Sequence, residues 1–106
     1  MKGVVWGLTL DAAITKLKEI ENNYKRYHIA HLVFKMQSKY EYRLEYDNGD
    51  VWRAIAARES MRGLKCNISY IDARINKDIV DCIIKPCSKA LPYCASNYFY
   101  DFIEEE

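Results

Sequence analysis

From Tyr40 to Tyr46 the chain alternates without a break: Tyr40, Tyr42, Leu44 and Tyr46 fall at even positions, Glu41, Arg43 and Glu45 at odd ones. Successive side chains of an extended strand point to opposite faces, so the pattern predicts a half-buried β-strand with one apolar side and one charged side. Asp47, Asn48, Gly49 and Asp50 follow, and Asn-Gly is the dipeptide that tight hairpins favour, because their central residues take positive φ. Val51 to Ile55 then returns as the second strand. A two-residue turn at Asn48-Gly49 would oppose Tyr46 to Val51, Leu44 to Arg53 and Tyr42 to Ile55. In that register Arg53 lies on the apolar side, where it must snorkel, bind an acid, or signal a longer loop.

The other elements must be arranged around this hairpin. Residues 2 to 7, KGVVWG, read as a short strand. Thr9 then caps a helix in which Leu10, Ala13, Ile14, Leu17, Ile20, Tyr24 and Tyr27 recur at three- and four-residue steps, forming one buried stripe. Residues 29 to 36, IAHLVFKM, read as a mostly apolar strand, and residues 57 to 64 as a connection. Residues 65 to 71 make another strand, ended by Asp72. Ile75, Ile79, Cys82 and Ile83 mark a second helix that stops near Pro86. The expected fold is α/β, or α+β: one small domain over residues 1–106, with a mixed sheet of about five strands, an antiparallel hairpin and two main helices. Residues 95–106 form a distinct aromatic and acidic C-terminal segment.

At 106 residues the chain is long enough for one core. Sixteen basic against fifteen acidic residues leave a net charge of +1, which argues against a protein whose main work is neutralising phosphates. The sequence contains no apolar run of membrane-spanning length and no signal-peptide pattern, so a cytoplasmic protein is expected, with no membrane partner. In that compartment Cys66, Cys82, Cys87 and Cys94 are expected to be thiols.

The order of hairpin, short connection, apolar strand and terminal aspartate across residues 41 to 86 resembles the ATPase domain of phage large terminase subunits, the DNA-packaging motors of tailed phages. The resemblance is carried by Asn48 and Gly49, by Arg62 and Gly63, and by the strand Ile68 to Ile71 ending in Asp72. It implies a degenerate P-loop-ATPase-like scaffold in a small phage or prophage protein, with Arg62, Gly63 and Asp72 the residues to test for nucleotide or DNA. The departures are specific. Between the first strand and the first helix stands WGLTLDAA, which lacks the glycine-rich loop and the Gly-Lys-Ser or Gly-Lys-Thr that hold phosphates and magnesium. Ala73 follows Asp72 where the family carries its catalytic glutamate.

Other chemistries are thinly supported. A strand at His28 and His31 would send the two rings to opposite faces, and the cysteines lack the paired CxxC knuckles of a zinc site. No metal, cofactor or catalytic constellation is expected, and the chain is read as a non-enzyme. Tyr40, Tyr42 and Tyr46 read as hairpin core, the alternative being a stacking platform for single-stranded nucleic acid. In the tail, Tyr98, Phe99, Tyr100, Phe102 and Ile103 are flanked by Asp101, Glu104, Glu105 and Glu106, the mixture of aromatic anchors and charge that protein interfaces concentrate.

Together these features point to a non-catalytic protein-binding module; the terminase resemblance implies a phage or mobile-element setting in the host bacterial cytoplasm, and analogy with small phage proteins suggests an inhibitor that occludes a host defence nuclease in the manner of an anti-CRISPR protein. Its docking residues are expected to be Tyr98, Phe99, Tyr100, Asp101, Phe102, Glu104, Glu105 and Glu106. The alternative is an accessory of phage DNA packaging or replication that binds nucleotide or DNA through the relic fold. The partner is expected to be a host or phage protein, nucleic acid being less favoured, and an open hairpin edge would give a route to a homodimer.

Overall fold

The computed structural model describes residues 1–57, 66–84 and 98–102, the last five and residue 83 by their backbone alone. Strands β1 (Lys2–Gly7), β2 (Leu32–Gln37), β3 (Glu41–Tyr46), β4 (Val51–Ala56), β5 (Ile68–Asp72) and β6 (Tyr98–Phe102) form one mixed sheet in the order β2-β3-β4-β1-β5-β6. Strand β1 pairs in parallel with both β4 and β5, β5 pairs in parallel with β6, and β2, β3 and β4 form an antiparallel meander. The expected mixed sheet with its hairpin is therefore present. Its sixth strand comes from the tail, where the sequence has no clean period to announce it.

Helix α1 (Leu10–Arg26) covers one face. Its N-terminus is capped by Thr9, whose hydroxyl accepts from the Ala12 amide at 3.2 Å, and Ala13, Ile14, Leu17, Ile20 and Tyr24 sink against Val5, Tyr42, Leu44, Tyr46, Trp52 and Ala54. Each fully buried large aliphatic side chain in such a layer stabilises the fold by roughly 1.5–3 kcal/mol. Tyr27, expected to extend the stripe, lies past the helix end and is exposed. The opposite face is filled by Val4 and Trp6 of β1, Ile55 of β4 and Ile71 of β5, packed with Cys66, Ile75 and Ile84. This second cover comes from α2 (Lys77–Ile79), which opens into a wider π-helical turn over Val80–Ile84. The change of pitch rotates the buried positions, so Ile84 is fully enclosed while Cys82, expected in the buried stripe, faces solvent.

The hairpin register differs from a two-residue turn by one position. Tyr42 opposes Ala54, Leu44 opposes Trp52 and Glu45 opposes Val51. The loop holds three residues, Asp47 to Gly49: the Tyr46 amide donates to the Asp50 carbonyl at 2.8 Å, and Gly49 takes φ +91°. This is the three-residue hairpin that ends in a left-handed residue, a conformation glycine adopts without a Cβ penalty. The shift sends Arg53 to the charged side, opposite Arg43, where its Nε donates to Glu41 at 2.7 Å. Tyr42, Leu44 and Tyr46 are buried as expected. Tyr40 is not: it precedes β3 in a turn held by the Ser38 hydroxyl, which accepts from the Tyr40 and Glu41 amides, and its ring is exposed. Leu17→Ala, which empties the centre of the α1 layer, should lower unfolding free energy by about 2–5 kcal/mol in urea titration. Gly49→Ala should cost about 1–2 kcal/mol through φ alone, since nothing crowds its Cβ position.

Candidate functional site

In open parallel sheets ligands bind beyond the carboxyl ends of the strands, so Asp72, at the end of β5, is the first candidate. Its side chain is fully buried and its oxygens are occupied. Oδ2 accepts the Leu8 amide at 3.0 Å and Arg74 Nη2 at 2.7 Å, while Oδ1 accepts the Arg74 amide and Nε, both at 3.0 Å. The Arg74 guanidinium, aided by the two amides, outweighs burial and holds the carboxyl at about 2, against an ordinary 3.8. Asp72 thus clamps the β1–α1 connection to β5. That connection is itself closed onto the helix: a Cβ at Gly7 would sit 2.7 Å from the Ala13 amide nitrogen and 2.9 Å from the Ala13 Cβ. Here glycine serves close packing of strand on helix. Arg62 and Gly63, the other residues assigned to this end, lie outside the described residues.

At the opposite end of α1 the structure opens. A cleft of about 710 Å³ is lined by Glu21, Tyr24 and Lys25 of α1, by His28, Ile29, Ala30 and His31 of the α1–β2 connection, and by Leu32, Tyr46 and Asp47. The two histidines do not lie on a strand, because β2 begins only at Leu32. His28, at φ +51°, turns the chain, and both histidines line the same cleft. Beneath them the Tyr24 and Tyr46 rings stack with centroids 4.1 Å apart. Trp52 Nε1 donates to the Tyr24 oxygen at 2.9 Å, and the Tyr24 hydroxyl donates to Asp50 Oδ2 at 2.6 Å. Tyr46 has no such outlet. It is 5% exposed, and its buried hydroxyl has no hydrogen-bond partner among the described residues. Burial first, and then the charges of Glu21 and Asp50 with Tyr42, push that hydroxyl up to about 12, so it stays protonated.

The third feature is the free edge of the sheet. Among the described residues strand β2 pairs only with β3, and its register is broken by a bulge between Leu32 and Phe34. Val33 is 64% exposed, with Ile29, Leu32 and Phe34 also open to solvent, so the apolar strand expected over residues 29 to 36 begins at Leu32 and is uncovered by the described residues. Lys35, the one charge on this strand, lies 3.4 Å from Glu21, whose other oxygen accepts the Tyr42 hydroxyl at 2.8 Å.

The backbone of Tyr98, Phe99, Tyr100, Asp101 and Phe102 forms β6 at the other edge, residue by residue against Ile68 to Asp72. Ile103, Glu104, Glu105 and Glu106 lie outside the described residues, as do Cys87 and Cys94. Cys66 is buried, its sulfur 3.3 Å from the Ser69 hydroxyl, and among the described residues no three metal-ligating side chains gather. Nor is any described helix long and apolar enough to cross a membrane. No protein-family model, curated protein or solved structure matches the chain. The histidine pair was visible in the sequence, but the cleft depends on where α1 ends relative to the hairpin, which no local pattern encodes.

The Asp72 clamp gives a signed pH dependence. Its folded-state carboxyl lies below the ordinary value, so its contribution is complete above about pH 4 and is lost as pH falls through about 2. Asp72→Asn should lose about 1–2 kcal/mol at pH 7 and flatten the loss of stability between pH 4 and pH 2. Urea midpoints of the two proteins at pH 7 and pH 3 check this; parallel acid limbs would remove the assignment.

Proposed function

We propose that this chain is a non-catalytic protein-binding module that takes an extended segment of a partner protein along β2. The observation that carries the reading is the free β2 edge, where a row of backbone donors and acceptors is bordered by the exposed side chains of Ile29, Leu32, Val33 and Phe34. An added strand would satisfy those backbone groups and cover the apolar border, which is how sheet edges recognise peptides. Charge favours a different protein over a second copy. Leu32–Gln37 contains Lys35 and no acid, with Lys39 just beyond, so antiparallel self-pairing would bring lysines to a seam with no acid on either strand. A partner segment with acidic residues among apolar ones meets no such repulsion.

The setting rests on the terminase-like stretch over residues 41–86 and not on geometry: a phage or mobile-element protein in the bacterial cytoplasm, occluding a host defence nuclease. The tail residues Tyr98, Phe99, Tyr100, Asp101, Phe102, Glu104, Glu105 and Glu106 would supply a second, acidic contact in this reading. Nucleotide binding through Asp72 is the less supported alternative, because both carboxylate oxygens already accept from Leu8 and Arg74.

The tagged protein should retain one host protein from nuclease-treated bacterial lysate, and Val33→Lys combined with Phe34→Glu should abolish retention. Both positions are exposed, so the thermal unfolding midpoint should be unchanged. Retention undiminished in the double variant would reject the β2 edge. Dimerisation of the purified chain that the same variant abolishes, in sedimentation velocity, would reject the hetero-partner and assign the edge to a second copy.

A further inference from the structure

We propose that the segment added along β2 carries one large, uncharged apolar side chain on the α1 side of the sheet, and that this side chain seats in the cleft at the C-terminal end of α1. The anchor rests on the β2 reading above and gives its partner a chemistry. Residues directly opposite in a ladder point to the same face of a sheet. Leu32 opposes Tyr46, Lys35 opposes Leu44 and Gln37 opposes Tyr42, and these three residues of β3 are buried beneath α1. Leu32, Lys35 and Gln37 therefore belong to the α1 face, while Phe34 and Met36, opposite Glu45 and Arg43, belong to the other. The helix stops short of this edge: among the described residues its core draws on β1, β3, β4 and the margin of β5, and on no residue of β2. The gap is the cleft, and Leu32 lies both on its wall and on the free edge. An added residue opposite Leu32, in either strand direction, faces the cleft.

The apolar wall is already built. The amides of His28 and Ile29 donate to the Lys25 and Tyr24 carbonyls at 3.4 and 3.0 Å, the paired closure by which a left-handed residue ends a helix. That closure holds Ile29 beside the last turn of α1, where it is 51% exposed, and Ala30 and Leu32, the latter 39% exposed, continue the wall. The stacked rings of Tyr24 and Tyr46 are nearly enclosed, so Ile29 and Leu32 are the apolar surface an incoming group meets. The polar rim favours neither sign of charge. Lys25, His28 and His31 stand beside Glu21, Asn22 and Asp47, with Glu21 already 3.4 Å from Lys35. A charged side chain would lose hydration here without a matched partner, whereas an apolar one takes Ile29 and Leu32 out of water together with itself. An apolar anchor within a polar rim is the arrangement that concentrates binding energy at protein interfaces.

The test titrates the ¹⁵N-labelled full-length chain with the blocked peptides acetyl-Thr-Glu-Thr-Xaa-Thr-Glu-Thr-amide, in which Xaa is Trp, Leu, Ala or Asp. The residue order is the same from either end, so parallel and antiparallel pairing present the same faces. Every peptide should shift the β2 amides of residues 32–37. The Trp and Leu peptides should also shift residues 21–31 and 46–47 and bind about tenfold tighter than the Ala peptide, the gain from burying one large apolar side chain. The Asp peptide should bind no tighter than the Ala peptide. Ile29→Ser, at a half-exposed position, should cut the gap to about threefold and leave affinity for the Ala peptide unchanged. Ala30→Trp, which fills the cleft from its own wall, should close the gap without removing Ile29 or Leu32. Equal affinities of the Trp, Leu and Ala peptides, with shifts in β2 alone, would overturn the anchor and leave the edge reading standing. Absence of β2 shifts with every peptide would overturn both. The anchor is also overturned by an Asp peptide that binds as tightly as the Trp peptide, or by a gap undiminished in both variants.

Discussion

From Gly3 to Gly7 strand β1 has no face open to water, and the architecture follows from that constraint. Val5 enters the α1 side of the core while Val4 and Trp6 enter the other, all three at or below 1% exposure. A strand of this kind is stable only at the centre of a sheet covered on both sides. Accordingly β4 and β5 flank it, α1 covers one face, and α2 with its π-helical continuation covers the other. Even the polar atom of the buried Trp6 side chain is met, since its Nε1 donates to the buried Ser69 hydroxyl at 3.1 Å. The meander of β2, β3 and β4 extends outward from this centre, and its last strand, β2, becomes an edge because nothing in the described chain follows it.

The hairpin shows how a single residue of loop length controls chemistry at a distance. With three loop residues, Trp52 faces α1 and its indole reaches Tyr24, which in turn reaches Asp50 beside the turn. Asn48 closes the same network, accepting the Asp50 amide at 3.0 Å and donating to Asp50 Oδ2. A two-residue loop would have turned Arg53 into that layer and Trp52 out of it, because a one-residue slip exchanges the faces of a strand. The polar chain therefore favours the same register as the apolar packing. It also leaves Tyr46, stacked on Tyr24 but beyond the chain, with a buried hydroxyl that has no partner among the described residues.

The two ends of α1 differ in kind. At its N-terminus every neighbouring group is occupied: Thr9 caps the helix, Gly7 packs on Ala13, and Asp72 is held by Leu8 and Arg74. This is the end where an ATPase-like scaffold would work, and here it carries stability. At its C-terminus a left-handed His28 turns the chain away from the helix, leaving a cleft and then an uncovered strand. Among the described residues, the unpaired edge of β2 and the exposed apolar side chains of Ile29, Leu32, Val33 and Phe34 lie on this side.

By itself the sequence determined the local elements, because their causes are local. Thr9 and the three-to-four spacing from Leu10 to Tyr24 specify α1, and the alternation from Glu41 to Tyr46 with Gly49 in its turn specifies the hairpin. The mixed helix-covered sheet was legible for the same reason, since apolar strands separated by amphipathic helices have few other ways to be buried. Tertiary structure decided what these periodicities do not encode: the loop length that set the faces of Trp52 and Arg53, the pitch change that buried Ile84 and exposed Cys82, and the edge position of β2. The candidate sites belong to this second group. An apolar strand reads the same whether it is central or at an edge, and a histidine pair reads the same whether it faces solvent or a cleft, because burial is a property of neighbours distant in sequence.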